Sequence, residues 1–329
     1  MIKIYPKSIK KDKDDLLKLL LDQNIRFEEN IDTTFGHYEA DKLVASASIY
    51  KNIIKCVAID ESLKGGAVFN SLMTSVLNEI HEKNYEKAFV YTKPEYEISF
   101  SSVGFKKIEE VGTDLVFMER SHHGFKTYLE SLEKEKITGD NIGAVVLNAN
   151  PFTLGHRYLI EYGLAHSDHL HVFIVSEDES YFSTGDRLNM VRLGTSDLEN
   201  ISLHETDNYL ISSATFPSYF IDEDKSVIKI QATLDAKIFK NHIAKALNIK
   251  NRFVGEEKTD QTTNIYNQTM RDVFECKPDR IELIEIPRKK SSDEIISASK
   301  VRTFLKEGKT NKIKDYVPGT TYNYIKNLS

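Results

Sequence analysis

Two short stretches of the sequence combine residue types that suit phosphate binding. The first is Thr153-Leu154-Gly155-His156, at the end of an apolar run. A helix beginning here would present unpaired N–H groups and the positive end of its dipole to an anion. Gly155 would let the anion come close to the backbone, and His156 would add a neutral donor or a cation. Taken alone, the stretch fits an ordinary strand-to-helix turn equally well.

The second stretch spans residues 296–302 and reads Ile-Ser-Ala-Ser-Lys-Val-Arg. Ser297 and Ser299 are natural N-caps of a helix, whereas Lys300 and Arg302 place two cations in its first turn, where the helix dipole disfavours them. Cations at that position indicate an anionic ligand. The alternative is a capped surface helix with solvated basic residues. The two stretches together favour a phosphate site.

A parallel sheet would position both stretches. Segments that read as strands alternate with helical patterns in the second half of the chain, at 142–147, 169–175, 200–204, 228–231, 251–254 and 280–286. This alternation favours helices on both faces of the sheet. Ligands of such sheets bind beyond the carboxyl ends of the strands, where the turn to His156 would lie. Arg187, Gly255 and Glu256 are further candidates near this edge, and Asp235 is predicted to be a structural cap.

Longer motifs carry a family resemblance. The two short stretches resemble the (His/Thr)-x-Gly-His and Ile-Ser-x-(Ser/Thr)-x-(Ile/Val)-Arg signatures of the nucleotidylyltransferase superfamily. Within it, Asn-Ala-Asn-Pro-Phe at 148–152, Tyr-Leu-Ile-Ser-Ser-Ala-Thr-Phe-Pro at 209–217 and Phe-Val-Gly-Glu at 253–256 resemble the citrate lyase ligase family. This resemblance covers essentially the whole chain.

The resemblance implies an ATP-dependent, AMP-forming acetate ligase that uses Mg²⁺. Acetate would attack the α-phosphorus of ATP, and the acetyl-adenylate would acetylate a thiol. That thiol belongs to the phosphoribosyl-dephospho-coenzyme A arm of the citrate lyase acyl carrier subunit. Catalytic roles are implied for His156, Lys300 and Arg302. The residues expected to contact ATP are Asn148, Asn150, Phe152, Thr153, Gly155, His156, Arg187, Gly255, Glu256, Ser297, Ser299, Lys300 and Arg302. The sequence does not identify the Mg²⁺ ligands.

The first part of the chain has a different pattern. Strands at 43–50, 53–59 and 87–91, a glycine loop into a helix, and Phe-Ser-Ser-Val-Gly-Phe at 100–105 resemble a GCN5-related N-acetyltransferase domain. The acyl-CoA loop of that family needs small residues where this chain, aligned from Lys64, has Ala67 and Phe69. A Phe side chain would crowd the anion. We therefore expect a degenerate domain that helps to recognise the partner or its pantetheine-like arm.

The expected architecture is α/β. It comprises an acetyltransferase-like α+β domain at 1–120, a linker helix at 121–140, and a Rossmann-like parallel-sheet nucleotidylyltransferase domain at 141–329. A chain of 329 residues exceeds what one hydrophobic core usually supports, which agrees with two domains. Cys56 and Cys276 show no metal or redox spacing and are predicted to be buried thiols of a cytoplasmic protein.

Charge and hydropathy exclude other classes of partner. The formal net charge of −6 argues against a general nucleic-acid binder. No stretch of about 18 apolar residues is present to span a membrane, and the N-terminus lacks the pattern of a signal peptide. Two rival functions remain at this stage. One is a nucleotidylyltransferase that moves AMP onto a phosphate ester such as pantetheine phosphate or nicotinamide mononucleotide, and the other is a non-catalytic nucleotide-binding regulatory protein.

Overall fold

The computed structural model describes residues 1–63, 66–176, 180–210, 216–222, 225–256, 261–287, 290–291 and 294–328. The chain divides into two compact units, which are Met1–Tyr128 with Pro217–Ile230, and Leu129–Phe216 with Gln231–Ser329. The sequence-based boundaries place residues 217–230 in the second domain. In the structure this segment packs within the first unit.

The first unit is built around a mixed sheet. Its elements are β1 (Ile2–Ile4), α1 (Lys10–Asp22), β2 (Thr33–Glu39), β3 (Lys42–Tyr50), β4 (Ile53–Ile59), α2 (Ala67–Glu82), β5 (Lys87–Thr92), α3 (Glu97–Ser102), β6 (Lys106–Val111), β7 (Leu115–Ser121) and α4 (Phe125–Glu133). The strand order is β1-β2-β3-β4-β5-β7-β6. Only β4 and β5 run parallel to each other, because the crossover through α2 returns the chain in the same direction.

The helix α2 packs against this sheet through apolar side chains on one of its faces. Leu72, Met73, Val76 and Ile80 recur at helical intervals and are buried. Burying a side chain of this size contributes about 1.5–3 kcal/mol. The strands β4 and β5 are paired at Ile53 with Phe89 and at Ile54 with Val90, and they separate beyond these residues.

The second unit contains the predicted parallel sheet. Its elements are β8 (Ile142–Leu147), α5 (Leu154–Ala165), β9 (His169–Ile174), α6 (Thr184–Gly194), β10 (Ile201–Glu205), α7 (Val227–Ile238, whose first turn lies in the first unit), α8 (Ala244–Leu247), β11 (Asn251–Gly255), α9 (Gln261–Glu275), β12 (Glu282–Ile286), β13 (Lys290–Ser291), β14 (Glu294–Ile295), α10 (Ala298–Lys306) and α11 (Gly319–Leu328). The strand order is β10-β9-β8-β11-β12, and every pair is parallel. The predicted α/β class is confirmed.

Helices cover both faces of the parallel sheet. On one face, Gly163 of α5 lies against Leu170 and Phe253. On the opposite face, Phe173 of β9 packs edge-to-face on Phe239, which follows α7. Successive residues of a strand point to opposite faces, so β9 contributes to both cores. One predicted strand is wrong, since residues 228–231 lie inside α7. None of the helices in the described ranges is long and apolar enough to cross a membrane.

Candidate functional site

The first predicted phosphate stretch lies where expected, at the carboxyl end of the central strand β8. The helix α5 begins at Leu154, so Gly155 is its second residue rather than a residue preceding it. As such, the Gly155 amide has no partner within the helix. The Leu154 amide is already used, because it donates to the carbonyl of Tyr316 at 2.9 Å.

A reciprocal capping arrangement orients His156. Thr153 is the N-cap of α5, and its Oγ1 accepts from the His156 amide at 3.3 Å. In return, the Thr153 amide donates to Nδ1 of His156 at 3.1 Å. Because Nδ1 accepts this hydrogen bond, the neutral ring carries its proton on Nε2. This tautomer can donate a hydrogen bond to a phosphate oxygen.

Phe152 supports the ring of His156 from within the core. Its side chain is fully buried and stacks on the histidine ring with 6.1 Å between centroids. A Cβ atom added to Gly194 of α6 would come within 2.6 Å of Phe152, so only glycine allows this approach. The ring of Phe152 therefore acts by positioning its neighbours, and the contact of this residue with ATP stays a prediction that concerns its main chain.

The two predicted stretches meet in the structure. An added Cβ at Gly155 would lie 3.6 Å from the carbonyl oxygen of Ile296, so the second stretch packs directly against the first. Arg302 of α10 donates to the carbonyl of Asn150 at 2.6 Å. The Asn150 side chain is also engaged, since its Oδ1 accepts from the Phe182 amide at 3.2 Å. Residues separated by about half of the chain therefore form one local surface.

The side chains of the second stretch take up distinct positions. Ser297 occupies the N-cap of α10, but contrary to its expected role it makes no side-chain capping hydrogen bond. The Oγ of Ser299 accepts from Arg302 at 2.9 Å. The Nζ of Lys300 lies 5.1 Å from the ring centroid of Tyr316, the residue whose carbonyl holds Leu154. The predicted cations are thus present in the first turns of α10.

Arg187, one of the residues expected to contact ATP, is buried. It has no solvent exposure, and its guanidinium donates to the carbonyls of Asn148 at 2.8 Å, Val175 at 2.6 Å and Phe182 at 3.2 Å. It also donates to Oδ1 of Asn148 at 3.1 Å. Its charge is therefore used to fix the turn after β8 to the end of β9, a role that the sequence did not predict.

Gly255 ends β11, the strand next to β8, and Glu256 follows it. A Cβ at Gly255 would meet none of the described residues within 4 Å. The Glu256 amide donates to Ile286 of β12 at 2.7 Å. Two other predicted features, residues 211–215 and the basic pair Arg288-Lys289, lie outside the described residues.

A large cavity lies in the first unit, where β4 and β5 separate. It has a volume of about 550 Å³ and is lined by β4, β5, the start of α2 and residues of the segment 217–230. Phe69, which the sequence predicts to crowd this region, lines the cavity and packs edge-to-face on Phe100 at 5.3 Å. Tyr219 and Phe220 of the segment 217–230 also line the cavity. Lys64 and Gly65 of the predicted loop are outside the described part of the chain.

The cysteine predictions have different outcomes. Cys56 is buried in β4, as expected, and this burial raises the pKa of its thiol to about 12. Cys276 follows α9 and is exposed, so the prediction that it is buried is wrong.

Comparisons with known proteins agree with the resemblance of the motifs. A family model described as "Citrate lyase ligase C-terminal domain" matches residues 142–325. The citrate (pro-3S)-lyase ligase of Haemophilus influenzae is 42% identical, over 94% of this chain and 94% of its own length. The corresponding ligase of Escherichia coli is 39% identical, over 95% of this chain and 90% of its own length.

Solved structures resemble parts of the chain. Escherichia coli ElaA has a TM-score of 0.32 and 20% identity, and the match covers 36% of this chain and 98% of ElaA. Thermotoga maritima TmcAL bound with alpha-thio ATP has a TM-score of 0.37 and 12% identity, and the match covers 57% of this chain and 56% of TmcAL.

Proposed function

Because the chain belongs to the citrate lyase ligase family, we propose that it is an ATP-dependent, AMP-forming acetate ligase that activates citrate lyase. The observation that carries the proposal is the union of the two phosphate stretches, where Gly155 lies against Ile296 and Arg302 binds the Asn150 carbonyl. This contact gathers a helix N-terminus, a neutral histidine and two cations, which suits a triphosphate.

The proposed reaction has two steps. A carboxylate oxygen of acetate attacks the α-phosphorus of ATP, and pyrophosphate leaves with the bonding electrons of the broken P–O bond. The acetyl-adenylate is then attacked by the thiol of the phosphoribosyl-dephospho-coenzyme A arm on the acyl carrier subunit, which forms a thioester and releases AMP. The first step joins two anions, so alignment and charge neutralisation account for most of the catalysis.

Each site residue has a role that its geometry supports. His156, protonated on Nε2, would donate to the phosphate on which charge develops, and the Gly155 amide would bind the same group. Lys300 and Arg302, together with the hydroxyl of Ser299, would hold the β- and γ-phosphates as pyrophosphate leaves. Arg187 would act indirectly, by holding the turn at Asn148.

Mg²⁺ fits this site as an ion carried mainly by ATP. Within the described ranges, no group of three acidic, histidine or cysteine side chains is placed to hold a metal. Mg²⁺ commonly keeps most of its contacts to substrate phosphates and water. When bound, it would supply further neutralisation of the phosphate charge.

The cavity of the first unit is the proposed binding site of the carrier's thiol-bearing arm. Its volume of about 550 Å³ falls in the usual range for ligand pockets. The separated edges of β4 and β5 offer backbone groups to an extended chain that contains amides. This role agrees with a domain that recognises its partner without transferring acetyl groups itself. Acetyl transfer from acetyl-CoA by the full-length protein would contradict it.

Isotope exchange between pyrophosphate and ATP tests the proposed function. Exchange that depends on acetate supports the ligase. Exchange that depends instead on a phosphate ester such as pantetheine phosphate would identify a nucleotidylyltransferase, and a protein that binds ATP without any exchange would be a regulatory binder. The acetylated carrier subunit, detected by mass spectrometry, tests the second step separately.

A further inference from the structure

A second, much smaller cavity lies in the second unit, on the sheet face opposite α5. Its volume is about 70 Å³. It is lined by Val146 of β8, by Val175, the residue after β9, by Leu210, and by residues of α7, β11 and α9. By the register of β11 with β8, Arg252 points to the same face as Ala144 and Val146.

Arg252 is the unusual residue of this cavity. It is only 8% exposed, and its Nε has no hydrogen-bond partner among the described residues. The guanidinium stacks on the ring of Phe239, with its central carbon 4.3 Å from the centroid. Burial lowers the pKa of Arg252 to about 10, against the opposing influence of Tyr266 and Asp235, so the group stays charged at neutral pH. A buried cation with an unpaired N–H is costly unless an anion meets it.

The other polar residues of the cavity are already engaged with each other. The hydroxyl of Tyr266 donates to Oδ2 of Asp235. Asp235 lies inside α7 and not at its N-terminus, so the predicted structural cap is wrong. Burial and the neighbouring Asp235 raise the pKa of Tyr266 well above its usual value. The phenol therefore remains a donor to the Asp235 carboxylate, whose charge acts on the guanidinium of Arg252. The guanidinium is thus the group best suited to receive an incoming ligand.

The cavity adjoins the phosphate site through the chain itself. Val146 lies two residues before Asn148, at the edge where the loop to His156 begins. The carbonyl of Val175 accepts from Arg187, and the same guanidinium holds the carbonyl of Asn148. A small ligand in the cavity would lie at the carboxyl edge of β8, which is also the edge that delivers the phosphate loop.

We propose that this cavity binds the carboxylate substrate, with the guanidinium of Arg252 on the acetate oxygens and the apolar walls around the methyl group. The inference rests on the proposed ligase function and adds the acid-binding subsite to it. A cavity of about 70 Å³ has room for on the order of five water molecules, which suits the four heavy atoms of acetate. Met270 and Ala236 close the space beyond, so each added methylene of a longer acid meets the wall.

Replacing Arg252 tests the subsite. In Arg252→Met, the KM for acetate in the exchange assay should rise about 100-fold, because a charged hydrogen-bonding partner of the carboxylate is lost, while the dissociation constant for ATP stays unchanged. The acetate KM of Arg252→Lys should lie between those of the wild type and Arg252→Met. The matched control is Arg271→Met, which removes an arginine of α9 that pairs with Glu285 at 2.7 Å. An acetate KM within about threefold of wild type in folded Arg252→Met would overturn the subsite.

Enlarging the cavity gives a test that does not depend on how well the Arg252 variants fold. Met270→Ala should raise the kcat/KM for propionate relative to acetate about tenfold, since one methylene in an apolar pocket changes selectivity by this order. An unchanged ratio would overturn the assignment. If the wild-type protein shows no acetate-dependent exchange, the proposed ligase function is refuted. Binding of acetate to the cavity is then tested separately by NMR. Line broadening of ¹³C-labelled acetate by the wild type but not by Arg252→Met supports the subsite, and equal broadening by both overturns it.

Discussion

Arg187 offers the sharpest test of how the phosphate loop is held. We consider Arg187→Met, which keeps the length and apolar stem of the side chain but removes its charge and its donors. In the structure those donors serve the carbonyls of Asn148, Val175 and Phe182. The substitution leaves them without their partner in a site where the arginine itself has no solvent exposure.

The expected loss of stability follows from these contacts. A buried acceptor that loses its partner costs about 1–3 kcal/mol, and the acceptors affected are these three carbonyls, Oδ1 of Asn148 and Oγ1 of Thr184. Asn148 is exposed and can be rehydrated, so the carbonyls of Val175 and Phe182 account for most of the penalty. We expect the free energy of unfolding of the second unit to fall by about 3–5 kcal/mol. The ATP site should weaken too, because the turn at Asn148 loses its anchor.

Urea unfolding followed by circular dichroism measures the stability. Hydrogen exchange of peptides from β8 and β9 locates the loss, and it should show faster exchange there than in the first unit. The matched control is Arg192→Met on the same helix, where the arginine is exposed and bonds Asn189 at 3.0 Å. That variant should change stability by less than about 0.5 kcal/mol. A loss below about 1 kcal/mol in Arg187→Met, or equal losses in both variants, would refute the reasoning.

Three further predictions concern single side chains. His156→Ala should lower acetate-dependent exchange by at least about 100-fold at unchanged folding, and near-normal turnover would remove His156 from the mechanism. Burial lowers the pKa of His171 to about 3 and of His204 to about 4. In the unfolded chain the histidine pKa values are about 6.5. Below that pH the unfolded state therefore binds more protons than the folded state. Stability should therefore be complete above about pH 6.5 and fall by about 3 kcal/mol for each histidine toward pH 4, and His204→Gln should flatten this fall in urea titrations. A thiol reagent at pH 8 should modify Cys276 quickly and Cys56 only on unfolding, since burial raises the pKa of the latter to about 12; equal rates would contradict that burial.

The contiguous parts of the site were predictable from the sequence. The stretch around Gly155 and the stretch from Ile296 to Arg302 each combine small residues with donors, and these combinations have a local physical meaning at a helix start. Their contact was an expectation from the pairing of motifs, and the approach of Ile296 to Gly155 agrees with it. The helix α5 begins at Leu154, within the stretch where the sequence predicts a helix start.

Two features were missed because the sequence windows were too short. Residues 228–231 alternate apolar and polar side chains, which is typical of a strand. A longer window contains Ile230, Leu234 and Ile238, whose spacing of four predicts a helix, and α7 covers all three. The burial of Arg187 was not predicted, although it lies on the same helical stripe as Met190, Val191 and Gly194, all of which are buried. The spacing therefore indicated its burial.

The acid-binding cavity could not have been predicted in this way. Its polar residues come from α7, β11 and α9, and they meet only because α7 and α9 cover the same face of the sheet as Arg252. No local pattern marks any of them, since an arginine in a strand and an aspartate in a helix are each ordinary when considered alone. The proposed ATP site combines the main chain at a helix start with His156, Lys300 and Arg302, all of which lie in contiguous motifs. A small carboxylate needs one cation in a closed apolar space, and such a space exists only after the tertiary fold has formed. Selectivity among acids should therefore respond to substitutions in these distant elements, such as Met270→Ala, while the ATP affinity stays constant.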